Sequence, residues 1–222
     1  MNNQPVWSKV DALVEATLLQ NEQMYAEIVK ANNAAGLPAI DVSPAQGKML
    51  QLFARMCGAQ SILEIGTLGG YSTAWLANAL PTNGRLVSLE YDPYHAKIAQ
   101  ENIDRAGLSA KVEIRIGAAA DNLPVLEREG AGPFDLIFID ADKPNNRTYL
   151  EWAIKLSRPG TVLICDNVVF DGGVVNPNSS DVNVQGARDV FEFFSQSPRV
   201  SATAIQTVGS KGYDGFAVAI VD

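Results

Sequence analysis

Between Ser61 and Leu80 the chain reads Ser-Ile-Leu-Glu-Ile-Gly-Thr-Leu-Gly-Gly-Tyr-Ser-Thr-Ala-Trp-Leu-Ala-Asn-Ala-Leu, and no other stretch restricts its possible folds as much. Ser61 to Ile65 is an apolar run broken only by Glu64, the pattern of a short buried strand. Gly66, Gly69 and Gly70 then make a tight turn. Ser72 and Thr73 open a helix that carries Trp75, Leu76 and Leu80 on its inner side. Such a strand, glycine turn and helix start can form a small-molecule site. Glycine lets a ligand approach the backbone, and free N–H groups at a helix start favour an anionic group. The same turn also serves as a plain packing turn in any α/β protein.

The following residues narrow the choice. A dinucleotide fingerprint requires Gly-x-Gly-x-x-Gly, and Leu68 occupies its second glycine position, where backbone would have to approach a pyrophosphate. The next apolar run, Arg85 to Glu90, ends in an acid about two dozen residues after Gly66, the spacing of a carboxylate that grips two ribose hydroxyls. A nucleoside without a pyrophosphate suggests S-adenosylmethionine, and at this point the chain resembles a class I methyltransferase.

The 222 residues suffice for one α/β domain with a sizeable core, and a hydrophobic fraction of 47% marks a globular chain. A net charge of −8 argues against a basic nucleic-acid surface and against binding to acidic membranes. The start, Met1-Asn-Asn-Gln-Pro-Val-Trp7, lacks the charged and apolar regions of a signal peptide, and no apolar run is long enough to span a bilayer. Cys57 and Cys165 sit in apolar contexts, as two buried free thiols of a cytoplasmic protein would. One His and two separated Cys do not make a zinc site.

Val6 to Ala31 has the periodicity of one or two amphipathic helices, ended by Gly36-Leu-Pro38; these cover the site mouth, meet another subunit, or simply cover the core. Ser43 and Pro44 begin a helix as N-cap and first residue. Beyond the pivot, strands are expected at Arg85–Glu90, Val112–Ile116, Phe134–Ile139 and Thr161–Cys165. Alternating charge puts Val112–Ile116 at an edge, and apolar content puts Phe134–Ile139 at the centre. Helices are expected at Pro93–Ala106, Leu123–Arg128, Pro144–Leu156 and Ala187–Ser195. Residues 170–186 read as a lid or substrate loop. Ser201–Val208 and Phe216–Val221, joined by a glycine-rich connection, predict an antiparallel hairpin. The expected fold is α/β: one doubly wound, Rossmann-like, mostly parallel sheet with an antiparallel C-terminal hairpin and helices on both faces. It is read as one domain over residues 1–222, with a helical cover at 1–40 and the core at 41–222.

Two segments share one form: Phe134-Asp-Leu-Ile-Phe-Ile-Asp140 and Thr161-Val-Leu-Ile-Cys-Asp166-Asn167 are buried strands with an Asp just past the carboxyl end. Consecutive parallel strands joined by one helix usually lie side by side, so Asp140, Asp166 and Asn167 converge at the sheet edge onto which the pivot turn opens. Two carboxylates and an amide oxygen suit Mg²⁺, with Ca²⁺ or Mn²⁺ also compatible; the alternative is that each Asp merely caps a helix. Asp135 and Asp142 read as solvated or capping groups. Lys143 stands at a helix start, where an ammonium is electrostatically misplaced, which suggests a task; an exposed surface lysine is the ordinary reading.

The segments Glu64-Ile-Gly-Thr-Leu-Gly-Gly-Tyr-Ser72, Phe138-Ile-Asp-Ala-Asp-Lys143 and Asp166-Asn167 resemble the motifs of the cation-dependent O-methyltransferases, the caffeoyl-CoA and catechol O-methyltransferase family, and its bacterial branch in particular. The resemblance runs from about Asp41 to the C-terminus. It implies S-adenosylmethionine contacts at Val42, Glu64, Gly66, Thr67, Ser72, Glu90, Ala119 and Asp140, metal ligation by Asp140, Asp166 and Asn167, and a catalytic Lys143. Val42 and Ala119 come from the resemblance alone. Ala141 and Asp142 fill a gap where animal catechol enzymes carry an aromatic residue, and the N-terminal arm offers only Lys9 and Lys30 for the phosphates of a CoA ester.

The expected reaction moves a methyl group from a sulfonium to a phenolic oxygen of a small aromatic diol (a catechol, a hydroxycinnamate or a related vicinal diphenol), in a homodimer. A free phenol ionises only near pH 10. A cation holding both oxygens lowers that barrier, and Lys143 takes the proton or stabilises the oxyanion. The competing readings are a nicotinamide-dependent oxidoreductase and a non-catalytic S-adenosylmethionine-binding protein.

Overall fold

A computed structural model describes residues 3–20 and 22–222. Met1 and Asn2 of the leader reading, and Asn21 within the first helical reading, lie outside the described residues. Among the described residues seven strands form one sheet: β1 (Ser61–Ile65), β2 (Arg85–Glu90), β3 (Val112–Ile116), β4 (Phe134–Ile139), β5 (Ser157–Asp166), β6 (Val200–Gly209) and β7 (Gly212–Val221). Their order is β3-β2-β1-β4-β5-β7-β6. The first five are parallel, and β7 runs antiparallel to both β5 and β6. The doubly wound sheet with an antiparallel end is therefore as expected, with β4 at its centre and β3 at an edge.

Among the described residues eight helices cover it: α1 (Gln4–Leu18), α2 (Gln23–Ala34), α3 (Pro44–Met56), α4 (Tyr71–Ala79), α5 (Pro93–Arg105), α6 (Ala119–Arg128), α7 (Asn146–Lys155) and α8 (Val182–Gln196). Strand residues alternate between two cores. Ile62, Leu136 and Phe138 face Tyr25, Leu50, Trp75 and Ile103 of α2 to α5. Leu63, Ile65, Ile137 and Ile139 face Leu123, Leu150 and Val190 of α6 to α8. Ser43 closes a capping box with Gln46 at the start of α3. Gly47 lets α3 close on α4, since a Cβ there would meet the Trp75 ring at 2.2 Å. None of the described helices is long and apolar enough to cross a membrane.

Several elements extend past their expected limits. α6 begins at Ala119 rather than Leu123, because Ala119 and Ala120 are strong helix formers that continue the turn. Lys143–Asn145 is a short 3₁₀ turn, and α7 proper follows at Asn146. β5 starts at Ser157, where Arg158 is held by an ion pair to Asp135. The expected lid is shorter than 170–186, because α8 starts at Val182 with Asp181 as its N-cap. Gly186, a loop signal in the sequence, lies inside that helix: a Cβ there would stand 2.0 Å from the Lys143 carbonyl oxygen. The hairpin turns through Ser210 and Lys211 alone, and Gly215 sits within β7 because the Ile205 carbonyl leaves no room for a side chain.

Candidate active site

The carboxyl ends of β1, β2, β4 and β5 open into one cavity of about 910 Å³. This is where open α/β sheets hold ligands. Its two halves meet at Gly66, the first residue after β1. A side chain there is impossible in this backbone: φ is +100° and a Cβ would lie 2.0 Å from the carbonyl oxygen of Asp140.

The half beneath β1 and β2 contains Gly66, Thr67, Leu68, Ser72, Glu90 and Ala119, with Val42 opposite. Glu90 is 7% exposed and organises the turn. Its Oε2 accepts from the backbone N–H of Thr67 (3.1 Å) and Leu68 (2.8 Å), and its Oε1 from that of Asp92 (2.9 Å). Leu68 takes a left-handed backbone (φ +49°), so the turn achieves without glycine a conformation usually reserved for it. The N-terminal cover reaches this turn through Asn32. Its amide nitrogen donates to Asp41, its oxygen accepts from Asn102, and Gly69 has no space for a Cβ beside it.

Glu64 stands apart from the other candidates for contact with S-adenosylmethionine, all of which line the cavity. It is fully buried below the turn and does not line the cavity. Ser72 and Thr73, the residues that open α4, donate to it along with Ser88, at 2.5–2.6 Å. Burial nevertheless pushes its carboxyl up to about 7, with those three bonds opposing.

The other half gathers Asp140, Lys143 and Asn167 on the cavity wall, with Asp166 almost fully buried at the end of β5. Pairing of β4 with β5 places the two Asp residues side by side, as the sequence required. Lys143 is buried, not a surface lysine. Its Nζ donates to Asp140 Oδ1 (2.9 Å) and to the Asp166 carbonyl oxygen (3.1 Å). Burial disfavours its charge, but the negative charge of Asp140 and its neighbours outweighs that and drives its pKa up, so Lys143 is an ammonium. Burial, and then the charge of Asp140, push Asp166 up to about 7 against the opposing pull of Lys143.

Among the described residues no three His, Cys, Asp or Glu side chains group into a metal-holding cluster. The candidate set is two carboxylates and the Asn167 amide, all hard oxygen donors, with more negative charge than Lys143 neutralises. That chemistry fits a divalent cation such as Mg²⁺. Asp135 and Asp142 were expected to be solvated or capping groups; instead Asp135 ties strand ends together with Arg158, and Asp142 lies on the cavity wall. Asp135 accepts from the N–H groups of Gln60 and Ser61, and Asp142 from the Tyr149 hydroxyl.

The cavity also contains Phe170 and Asn183, from the stretch expected to be a lid or substrate loop, and residues not anticipated from the sequence: Asp41, Tyr91, His95 and Asp214. His95 followed the N-cap Asp92 and could have been found from its position near Glu90. Asp214 lay inside a glycine-rich connection, where an acid reads as a turn residue.

The model of the O-methyltransferase family matches residues 15–215. A catechol O-methyltransferase of Niastella koreensis is 54% identical over all of this chain and all of its own. One from Mycobacterium tuberculosis is 48% identical over 100% of this chain and 99% of its own. The crystal structure of an O-methyltransferase from Bacillus cereus in complex with SAH superposes with a TM-score of 0.97 at 55% identity, covering 99% of this chain and 100% of that one.

Proposed function

The chain belongs to the O-methyltransferase family, and we propose that it methylates one hydroxyl of a vicinal diphenol, using S-adenosylmethionine and a divalent cation. One observation supports this reading above all: Gly66 and Asp140 are in backbone contact, so a nucleoside-gripping turn and an oxygen-ligand cluster face one cavity.

S-adenosylmethionine supplies the methyl group as its sulfonium carbon. In this reading Glu90 accepts from the ribose hydroxyls with the lone pairs its three backbone donors leave free. Gly66, Thr67 and Ser72 line the path of the amino-acid tail, and Val42 and Ala119 wall the nucleoside. Glu64 contributes from below by fixing Ser72 and the first turn of α4. Asp140, Asp166 and Asn167 would hold the cation, which, when bound, makes a phenol more acidic and fixes its orientation. Mg²⁺ is the first choice of metal, with Mn²⁺ or Ca²⁺ next. Lys143 keeps its proton on Nζ and offers that charge to the developing oxyanion beside Asp140. The phenol gives its proton to solvent, the methyl passes in line from sulfur to the phenolate oxygen, S-adenosylhomocysteine leaves as the neutral thioether, and the chain's own part is largely positioning.

The charge of the cavity speaks to the acceptor. Among its described lining residues Lys143 is the only Lys or Arg, against Asp41, Glu90, Asp140, Asp142 and Asp214. A phosphate-bearing CoA ester finds no partner there, so we place the acceptor among small diphenols without phosphate. The family assignment removes the support for a nicotinamide oxidoreductase.

We also read the chain as a single methyltransferase domain, supported by the stacking of Tyr25 of the N-terminal cover on Trp75 of the core. Free Cys57 and Cys165 support a cytoplasmic location. A homodimer is supported by α1, which buries no residue and presents Val6, Val10, Leu13 and Leu18 to solvent, and by β6, exposed along most of its length. Light scattering that gives a monomer mass would remove the dimer. The test of the reaction is methyl transfer to a panel of catechols, hydroxycinnamates and their CoA esters, with and without Mg²⁺. Turnover confined to CoA esters would overturn the assigned acceptor, and no turnover on any diphenol would overturn the reaction.

A further inference from the structure

One carboxylate oxygen, Oδ1 of Asp214 on β7, accepts three backbone hydrogen bonds. They come from Val169 (2.9 Å), Phe170 (3.1 Å) and Gly215 (2.9 Å). Two of these donors belong to the loop that leaves β5, and β7 holds that loop at two further points. Val168 N–H donates to the Gly215 carbonyl, and Asp171 N–H to the Tyr213 carbonyl. The loop needs such restraint. Within five residues Asn167, Phe170 and Asp171 all adopt left-handed backbones, with φ of +56°, +52° and +50°. Side chains other than glycine leave that region unless the surroundings over-determine it.

The clamped segment carries two parts of the cavity wall, Asn167 at its start and Phe170 at its middle, and Asp214 itself lines the same cavity. Both residues follow β5, on the half of the cavity that holds Asp140 and Lys143, which the diphenol reading gives to the acceptor. The place of an aromatic ring beside a diphenol decides which of two adjacent hydroxyls faces the methyl donor.

We propose that Asp214 is a positioning residue that, by clamping the Asn167–Asp171 loop in its left-handed path, sets which hydroxyl of an unsymmetrical diphenol is methylated. The proposal rests on the diphenol reading above. It requires no contact between Asp214 and the acceptor, since the carboxylate acts through Val169 and Phe170.

The experiment uses the full chain with Mg²⁺, S-adenosylmethionine and 3,4-dihydroxybenzoate or another unsymmetrical diphenol that the wild type turns over, and measures the ratio of the two monomethyl ethers. Asp214→Ala should change that ratio several-fold and lower kcat/KM at least tenfold, while the Kd for S-adenosylhomocysteine stays within twofold. Asp214→Asn keeps an oxygen able to accept the same three N–H groups and should hold the ratio within twofold of wild type. Amide hydrogen exchange at Val169 and Phe170 should accelerate at least tenfold in the alanine variant and little in the asparagine one. Should the alanine variant fail to fold, Asp214→Glu, which retains the acceptor but displaces it by a methylene, carries the same measurement and should also change the ratio. A folded alanine or glutamate variant with the wild-type ratio would overturn the proposal. A wild type inactive on every diphenol would overturn the reading beneath it.

Discussion

Gly66 and Asp140 touch through their backbones: the Asp140 N–H donates to the Ile65 carbonyl at 2.8 Å, and the Asp140 carbonyl oxygen fills the space a Gly66 side chain would need. The first turn after β1 and the first residue after β4 thus form one rigid unit. Gly66→Ala should break it twice, by forcing an L-residue to a φ of +100° and by driving Cβ into Asp140. The left-handed conformation alone costs about 1–2 kcal/mol. Each kcal/mol lowers Tm by roughly 2–4 °C in a chain of this size. The variant should melt several degrees lower and lose both S-adenosylhomocysteine affinity and turnover. A melt and a calorimetric titration check this; unchanged affinity would mean the unit flexes.

Beyond the ribose role proposed for it, the Glu90 carboxylate holds the glycine turn through Thr67 and Leu68. Glu90→Ala should therefore weaken S-adenosylmethionine binding more than loss of the ribose bonds alone would. Two charge-assisted bonds are worth roughly 3 kcal/mol, or about a hundredfold in Kd. Glu90→Gln keeps one acceptor oxygen and should lose about tenfold. Similar losses in the two variants would show that the clamp on the turn does not matter for binding.

Glu64 makes the stability of the ligand-free protein depend on pH. Burial lifts its carboxyl from 4.5 to about 7, so the folded chain binds a proton that the unfolded chain has already released in that window. The associated stabilisation is complete below about pH 4.5 and is lost as pH rises to about 7, a change on the order of 3 kcal/mol. Asp166 adds a slope of the same sign. Glu64→Gln, neutral throughout, should lose less stability than wild type between pH 5 and 7.5. Thermal melts in chelator at several pH values measure this. Parallel curves for the two proteins would exclude Glu64 as the source.

Much of this architecture could be read from the chain. β1, β2, β3 and β4 carry burial patterns strong enough to fix both ends, and the Asp at the close of β4 and β5 followed from parallel pairing. The acceptor side was harder. Gly186 looked like loop because a glycine in a helix has no local justification. Its cause is the Lys143 carbonyl, 43 positions away in sequence. For Lys143 the sequence left a task and a surface position both open: its partner Asp140 is only three residues away, but the Asp166 carbonyl oxygen that also holds it comes from another strand end. Asp214 was hidden because its three donors lie in two separate segments. Local pattern reveals elements, but not the long-range contacts that override a residue's ordinary preference.

Activity should vanish on chelation and return with Mg²⁺, and Asp166→Ala and Asn167→Ala should each remove most of it. Both variants leave too few protein oxygens to compete with water for a divalent ion. The decisive trace is the rate before chelator, after it, and after readdition of the metal. Full activity in chelator would leave Asp140 as the ion-pair partner of Lys143 and Asp166 as the acceptor of the Asn167 N–H, with no part in holding a metal.

Lys143 offers the sharpest separation of chemistry from binding. A general base must be neutral before it accepts a proton, yet in the cation-free chain Asp140 and its neighbours raise the pKa of Lys143 above its ordinary value, which favours its protonated form. It should therefore act as a fixed charge. Lys143→Ala should lower kcat about a hundredfold, the usual scale for losing one oxyanion donor, with S-adenosylmethionine affinity nearly unchanged. It should also destabilise the fold, because removing one member of a buried pair costs roughly 3–5 kcal/mol. Lys143→Arg keeps the charge in a bulkier, planar group and should retain part of the rate. The pH profile distinguishes the two roles. If Lys143 is only a charge, any limb on which kcat rises with pH belongs to the phenol and persists in the arginine variant, moving upward in the alanine variant as the oxyanion loses its partner. If Lys143 is the base, that limb belongs to its own ionisation and disappears from both. Measuring kcat against pH for the three proteins on one diphenol at saturating Mg²⁺ decides between them, and disappearance of the limb in both variants would overturn the fixed-charge role.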